Sequence, residues 1–161
     1  MRTSNKLVKI YLVDSLALLV ISKRVAARCL ARNRRGPLGE FLDELKLALD
    51  DDRAVLKGIM ADMGVRANPI KNALAWGASL AGQLKLNGSM TAYSDLSRLY
   101  ELEGLCVLTE FRTWLWRALE ATQTRDAQRL LDRAERHRSE LDSFRADAAA
   151  TALQPSDREM S

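Results

Sequence analysis

The amino-acid sequence predicts an all-α protein, an antiparallel bundle of helices that forms one domain. Its 161 residues include only eight glycines and three prolines, and long stretches lack both, which favours helices over a turn-rich β fold. Apolar residues recur every three or four positions, the period of a helix with one buried face. Hydrophobic residues make up 47% of the chain, enough for a sizeable core. We place the domain at 1–153 and a disordered tail at 154–161.

The first two predicted helices are the most regular. Helix one covers 5–32 and is stopped by Gly36-Pro37. Its expected inward stripe is Leu7, Ile10, Tyr11, Asp14, Ala17, Leu18, Ile21 and Val25. Helix two covers 37–63, with Gly64 as its C-terminal cap. Steps of four and three residues define its seam, which is Leu38, Leu42, Leu45, Leu49, Asp52, Leu56, Ile59 and Met63.

Three further helices complete the predicted bundle of four core helices and one more polar helix. Asn68 and Pro69 mark the start of a helix over 68–86. The next, over 94–121 with Ser94 as its N-cap, is apolar around much of its circumference and is expected at the centre of the fold. The last, over 124–153, is polar and is expected on the outside. Its narrow apolar stripe is Leu130, Ala134, His137, Leu141, Phe144 and Ala148.

Five ionisable residues are predicted to face the interior, because their neighbours three and four positions away are largely hydrophobic. They are Asp14, Asp52, Glu103, Glu110 and His137. A buried charge must be paired, hydrogen-bonded, neutralised or bound to a metal. For Asp14 and Asp52 the favoured interpretation is a hydrogen-bond acceptor for a tyrosine, a tryptophan N–H or an arginine. If Asp52 is only a hydrogen-bond acceptor, we expect Asp52→Asn to cost little stability. If Asp52 is a metal ligand, we expect the same substitution to abolish stabilisation by the metal.

The other three candidates are weaker metal ligands. Glu103 and Glu110 share a face but lie two turns, ~10 Å, apart, too far to hold one ion from the same helix. One of the two is expected to pair with Arg112 or Arg117, and Glu101 is expected to be exposed. His137 is the only histidine, so a two-histidine site within one chain is impossible.

Catalysis, membrane insertion and nucleic-acid binding are each weakly supported. Cys29 and Cys106 are predicted to be buried free thiols, with a disulfide as the alternative, and no zinc spacing, nucleophile motif or phosphate loop occurs. The apolar stretch 10–21 is too short to cross a bilayer and is interrupted by Asp14, so we expect a core helix of a cytoplasmic protein. The net charge is only +4, and the basic cluster at 23–35 is expected to be a solvated helix end.

Most of the chain resembles a group of uncharacterised bacterial proteins with a ferritin-like four-helix bundle. The stretches that carry the resemblance are Tyr-Leu-Val-Asp (11–14), Leu-Gly-Glu-Phe-Leu-Asp-Glu-Leu (38–45), Asp-Asp-Arg-Ala-Val-Leu (51–56), Leu-Lys-Leu-Asn-Gly (84–88), Ser-Asp-Leu-Ser-Arg-Leu-Tyr-Glu-Leu-Glu-Gly-Leu (94–105) and Leu-Trp-Arg-Ala-Leu (115–119). Ferritin-like bundles hold di-iron or di-manganese centres through glutamates and Glu-x-x-His motifs. The resemblance implies related interior positions for Asp14, Asp52 and Glu103. Both Glu-x-x-His motifs are missing, and Ser15 stands where related sequences often have histidine.

The sequence therefore predicts a non-catalytic, ferritin-like helical bundle. Its expected role is stress-associated or accessory, acting through helix-face contacts with a protein partner or a second copy. The main alternative is an iron- or manganese-binding protein that uses Asp14, Asp52, Glu103, Glu110 and His137. A second alternative is a nucleic-acid-associated protein that uses the basic cluster at 23–35.

Overall fold

A computed structural model describes residues 2–65 and 93–154, with side chains from residue 6 onward. Four helices account for the regular structure of these residues, and no strand occurs among them. They are α1 (Arg2–Arg32), α2 (Pro37–Asp62), α3 (Asp95–Glu120) and α4 (Ala127–Ala152). The prediction of an all-α bundle is confirmed. The predicted helix over 68–86 and nearly all of the predicted tail lie outside the described residues.

Neighbouring helices run antiparallel. Short connections join α1 to α2 and α3 to α4 as hairpins. Arg28, near the end of α1, pairs with Glu101, near the start of α3. Between α2 and α4, Glu44 pairs with Arg136, whereas the later Asp51 pairs with the earlier Arg129. Since α1 and α4 are each antiparallel to α2 and α3, the diagonal pair α2 and α3 runs parallel.

Two helix ends show local chemistry that the sequence predicts. At the start of α3, the Ser94 hydroxyl accepts from the Ser97 backbone N–H, and the Ser97 hydroxyl accepts from the Ser94 N–H, which forms a capping box. At the end of α2, Gly64 has a positive φ of 65°. The N–H groups of Gly64 and Val65 donate to the carbonyls of Ala61 and Met60, so the last turn is closed without strain.

The core follows the predicted stripes of α2 and α4. In α2, the residues predicted to be buried at the middle of the seam are buried, and these are Leu42, Leu45, Leu49, Asp52 and Leu56. Met63, at the end of the seam, is exposed. In α4, every member of the predicted stripe is buried except Phe144, which is partly buried against the core.

The predicted inward face of α1 is wrong for its first half. The main core takes a different set of apolar residues from this helix, namely Leu12, Leu16, Leu19, Ala26 and Cys29. Leu7, Ile10 and Tyr11 are instead exposed. Helix α1 has apolar residues on two faces, so periodicity alone does not decide which face packs on the core.

The prediction that the helix over 94–121 lies at the centre of the fold is also only partly right. Helix α3 contacts both α1 and α4, and Leu102, Leu105 and Trp116 are buried. Its other face carries exposed apolar side chains, among them Phe111 and Trp114. None of the described helices combines the length and apolarity that crossing a bilayer requires.

Candidate functional site

A carboxylate in the centre of the bundle organises a buried polar cluster. Asp52, in α2, has no solvent-exposed surface. Its Oδ2 accepts a short hydrogen bond from Arg112 Nε and another, at 3.1 Å, from Trp116 Nε1. Its Oδ1 accepts from Arg112 Nη2 at 3.3 Å and from Arg133 Nη2 at 2.6 Å. Both oxygens are therefore satisfied, as the cost of burying a carboxylate requires.

Arg112 connects this carboxylate to the histidine. Its guanidinium group is almost completely buried, and its Nη1 lies 3.0 Å from His137 Nδ1. Because arginine is always a donor, Nδ1 must accept, and the ring proton belongs on Nε2. His137 Nε2 lies 3.2 Å from an oxygen of Glu44, which accepts a hydrogen bond from the ring N–H. The arrangement fixes one neutral tautomer of His137.

The surroundings keep His137 neutral. Burial lowers its pKa below the ordinary value of 6.5, and the positive charge of Arg112 lowers it further. The hydrogen bond to Glu44 acts in the opposite direction but does not reverse the shift. The same hydrogen bond, together with the positive charge of Arg136, lowers the pKa of Glu44. Phe41 packs edge-on against the imidazole, with ring centroids 5.8 Å apart.

On the side of Arg133, a chain of ion pairs connects the cluster to the surface. Arg133 donates to Asp52 and also to Asp51 Oδ2, at 2.8 Å. Arg129 donates to the same Asp51 oxygen at 3.2 Å. The groups that could transfer protons or attack a substrate, Asp52 and His137, have no exposed surface. General acid–base chemistry needs a group within hydrogen-bond reach of the substrate, and these two side chains are held in contacts within the protein instead.

The five predicted interior residues do not come together. The structure buries Asp52 and His137 completely and links them through Arg112. Glu103 and Asp14 are half-buried, and so is Glu110. Glu110 pairs with Arg138 at 3.3 Å. The expected pairing of Glu103 or Glu110 with Arg112 or Arg117 is wrong, because those arginines pair with Asp52 and Glu135. Sequence spacing within α3 could not indicate a partner on α4.

Two buried charged residues were missed. Arg112 has Leu108, Leu115 and Trp116 among its near neighbours on the helix, so the rule that identified Asp52 would also have identified it. Glu101 is 7% exposed, and the expectation of an exposed side chain is wrong. The residues four and three positions before it, Ser97 and Arg98, are polar, and its burial comes from the packing of α3 against α1.

Glu101 forms a second polar cluster where α1 ends and α3 begins. Arg28 Nε lies 2.9 Å and Arg32 Nη1 3.4 Å from its Oε1, and the Tyr93 hydroxyl donates to Oε2 at 3.1 Å. Asn33 Nδ2 donates to Tyr93 at 2.8 Å and to the Cys29 carbonyl at 2.8 Å. The cluster fixes the register of α1 against α3.

The two thiols are not activated. Cys29 is buried and Cys106 is half-buried, and neither forms a disulfide. Burial and the nearby charge of Glu101 raise the pKa of Cys29 to about 12. Burial raises the pKa of Cys106 to about 11. A nucleophilic cysteine needs a thiolate at neutral pH, which these surroundings oppose.

The described residues do not fit a di-metal centre. No three histidine, cysteine, aspartate or glutamate side chains converge within 2–65 and 93–154. The two fully buried candidates, Asp52 and His137, both contact the Arg112 guanidinium, whose positive charge occupies the position that a cation would need. The nitrogen and oxygen atoms that would coordinate the ion are already used as hydrogen-bond acceptors or donors.

The basic cluster at 23–35 is partly neutralised within the protein. Lys23 pairs with Asp50 at 2.6 Å. Arg28 and Arg32 both pair with Glu101. A surface that binds phosphates needs cations that are free to meet them, and half of the six cations in this cluster already have carboxylate partners.

An apolar groove lies between α1 and α3. It encloses a cavity of about 270 Å³. Its lining is mainly apolar and comprises Tyr11, Asp14, Ser15, Leu18, Leu19, Ser22, Leu108, Phe111, Arg112, Trp114 and Leu115. The volume is slightly below the range of small-molecule pockets, and it suits a few side chains better than a cofactor.

Aromatic rings form the rim of this groove. Tyr11 is 44% exposed, Phe111 39% and Trp114 49%. Phe111 and Trp114 are in edge-to-face contact, with centroids 5.2 Å apart. Tyrosine and tryptophan are enriched at protein interfaces, where they contribute large buried areas at low entropic cost.

Comparison of the chain with protein-family models, curated proteins and solved structures gave no match.

Proposed function

We propose that this protein is a non-catalytic helical bundle that acts by binding another protein chain in the groove between α1 and α3. The observation that carries the proposal is the groove itself, an apolar concave surface with three exposed aromatic rings on its rim. Contiguous apolar surface rimmed by polar residues usually marks an interaction site. The absence of activated groups elsewhere in the described residues agrees with a binding role.

A ferritin-like topology forms part of the proposal. Ferritin-like bundles have one long crossover connection, which makes their second and third helices parallel. Helices α2 and α3 have this relationship, and residues 63–94 connect them. The direction pattern supports the resemblance, whereas the arginine between Asp52 and His137 argues against the metal chemistry of that fold.

Site-specific photo-cross-linking in cells that make the protein tests the binding role. We would replace Phe111, on the rim, with photoreactive benzoylphenylalanine. Leu47, which is 72% exposed on α2, is the matched control position. We expect one defined protein adduct at position 111 that mass spectrometry identifies, that position 47 does not give and that Trp114→Ala removes.

Two results would contradict the proposal. One is an adduct only to residues 66–92 of the same chain, which would mean that the protein covers the groove itself. The other is equal, unspecific labelling from positions 111 and 47. Two kinds of adduct agree with the binding role. An adduct of twice the mass of the chain would identify a second copy as the partner, and any other adduct would identify a different protein.

A further inference from the structure

We infer that the occupant of the groove is a second copy of this chain, bound with the two α1 helices antiparallel about a twofold axis near Ile10. The inference rests on the proposed binding role of the groove and names its partner. It depends on the exposed face of α1 and on the charges that border that face.

The exposed face of α1 continues the groove as an apolar line. Leu7, Ile10 and Asp14 follow one another at spacings of three and four, so they share one face of the helix. Leu7 is 62% and Ile10 48% exposed, a large exposure for such side chains. An identical helix laid along this line would remove both from water.

Asp14 is the one charged residue among the three that define this face of α1. It lies half-buried in a mainly apolar groove, and among the described residues no cation lies within ion-pair distance of it. A carboxylate in this position is stabilised by a cation that arrives with the partner. The partner surface should therefore be apolar with a lysine or arginine at its edge.

The chain itself supplies that surface. Lys6 is exposed on α1 and likewise has no carboxylate partner among residues 6–65 and 93–154. Lys6 and Asp14 lie four residues before and four residues after Ile10. In an antiparallel pair of helices centred on Ile10, positions at equal distances from the centre face each other. A twofold axis therefore places each Lys6 opposite the Asp14 of the other copy, twice per dimer.

The aromatic rim completes the interface. Trp114 and Phe111, on α3, flank the same groove as Tyr11 and Asp14. The incoming α1 would pack its Leu7 and Ile10 side chains against these rings. The two copies then bury the same residues, as an isologous interface requires.

Charge reversal tests this arrangement by sedimentation of the full chain over a range of concentrations. We expect the wild type to dimerise. Lys6→Glu or Asp14→Lys alone replaces two attractive pairs by two repulsive ones and should weaken the dimer by about tenfold or more. The double variant Lys6→Glu/Asp14→Lys exchanges the charges and should restore the wild-type dissociation constant.

Matched variants distinguish a loss of dimerisation from a loss of folding. Leu47→Ala removes an exposed leucine from a different face and should leave dimerisation unchanged, whereas Trp114→Ala should weaken it. Unchanged far-UV circular dichroism and melting would establish that the charge variants fold.

A monomer at every concentration, or a dimer that neither charge reversal weakens, would overturn the inference. In either case a specific adduct from position 111 to a different protein would leave the proposed binding role intact. If that adduct is also missing, both the inferred dimer and the proposed binding role are contradicted.

Discussion

At the scale of single residues, the stability of the bundle depends most on the charge of Asp52. This carboxylate is the counter-ion of Arg112, which is itself buried, and it also accepts from Arg133 and Trp116. Breaking a buried ion pair by removing one partner costs about 3–5 kcal/mol, because the other charge stays buried. The sequence-based expectation that Asp52→Asn costs little therefore changes, since the amide removes the charge and presents a donor to a guanidinium group.

We predict that Asp52→Asn lowers the free energy of unfolding by about 3–5 kcal/mol in urea denaturation. Arg112→Met should cost a similar amount, because it leaves Asp52 with only Arg133 and Trp116. In the double variant the two losses should not add, since neither charge is then left without its partner. A mild effect of Asp52→Asn, or simple additivity, would show that the pair contributes little.

His137 gives the bundle a pH dependence with a definite sign. Its pKa in the folded protein lies below the ordinary 6.5. Between these two values the unfolded chain binds more protons than the folded protein, so stability rises with pH in this interval. On acidification, stability is lost from about pH 6.5 down to the folded pKa of His137, by about 1.4 kcal/mol for each unit of difference.

We predict that His137→Gln removes this dependence. Urea denaturation between pH 7.5 and 5 should show a falling stability for the wild type and a flatter profile for the variant. The lowered pKa of Glu44 acts in a more acidic range, below its ordinary value of 4.5, and does not overlap. Because His137 is the only histidine, identical profiles for the two proteins would exclude this origin of the effect.

Sequence reasoning identified some members of the polar network but not their connections. The apolar neighbours of Asp52 predicted its burial, and a tryptophan N–H and an arginine were among the expected donors. Which arginine approaches it depends on α2 and α3 lying diagonally across the bundle, a relationship between residues 60 positions apart. Glu101 shows a stronger limit of sequence reasoning, because the polar residues Ser97 and Arg98, one turn before it, suggested an exposed face.

At the scale of the elements, the start of α2 requires a glycine at position 39, where there is no room for a side chain. A Cβ atom on Gly39 would lie 2.7 Å from backbone atoms of Asn33 and Arg34, in the connection from α1. Gly36, with a φ of 78°, lets the same connection turn. A close approach of backbone to backbone leaves little room to adjust.

We predict opposite effects for two glycine-to-alanine changes in α2. Gly39→Ala should destabilise the protein by roughly 1–3 kcal/mol, because rigid backbone must move. Gly58→Ala, at an exposed helical position with nothing within 4 Å, should stabilise it by about 0.5–1 kcal/mol. Thermal melting of both variants measures the contrast. A stabilising Gly39→Ala would show that the connection can shift.

Helix boundaries were predictable to within a few residues, whereas helix faces were not always predictable. The caps at Ser94 and Gly64 act locally, so the sequence reveals them. Helix α1 has two apolar faces, and the choice between them depends on which helices pack beside it. The first half of the more conspicuous stripe, with Leu7 and Ile10, is left exposed.

At the scale of the whole molecule, the charge arrangement predicts a bundle that does not respond to iron or manganese. The Arg112 guanidinium between Asp52 and His137 repels a cation at the position where a buried site would form. Protein purified without chelators or tags should contain far less than one metal ion per chain. Its melting temperature should not rise with added Fe(II) or Mn(II).

Near-stoichiometric metal would contradict this prediction, provided that the ion raises the melting temperature and that Asp52→Asn removes the rise. Such a result would require Arg112 to leave the interior.

The position of Asp52 also bears on how the chain folds. Its donors belong to α3 and α4, which follow it by 60 to 81 positions, and no hairpin contains both a donor and the carboxylate. A half-assembled bundle, such as the α1–α2 hairpin alone, would leave this carboxylate either unpaired or in water. Partly folded forms are thereby disfavoured relative to the complete bundle. The central ion pair should therefore make unfolding cooperative. Its contacts should form late in folding and be lost together in unfolding.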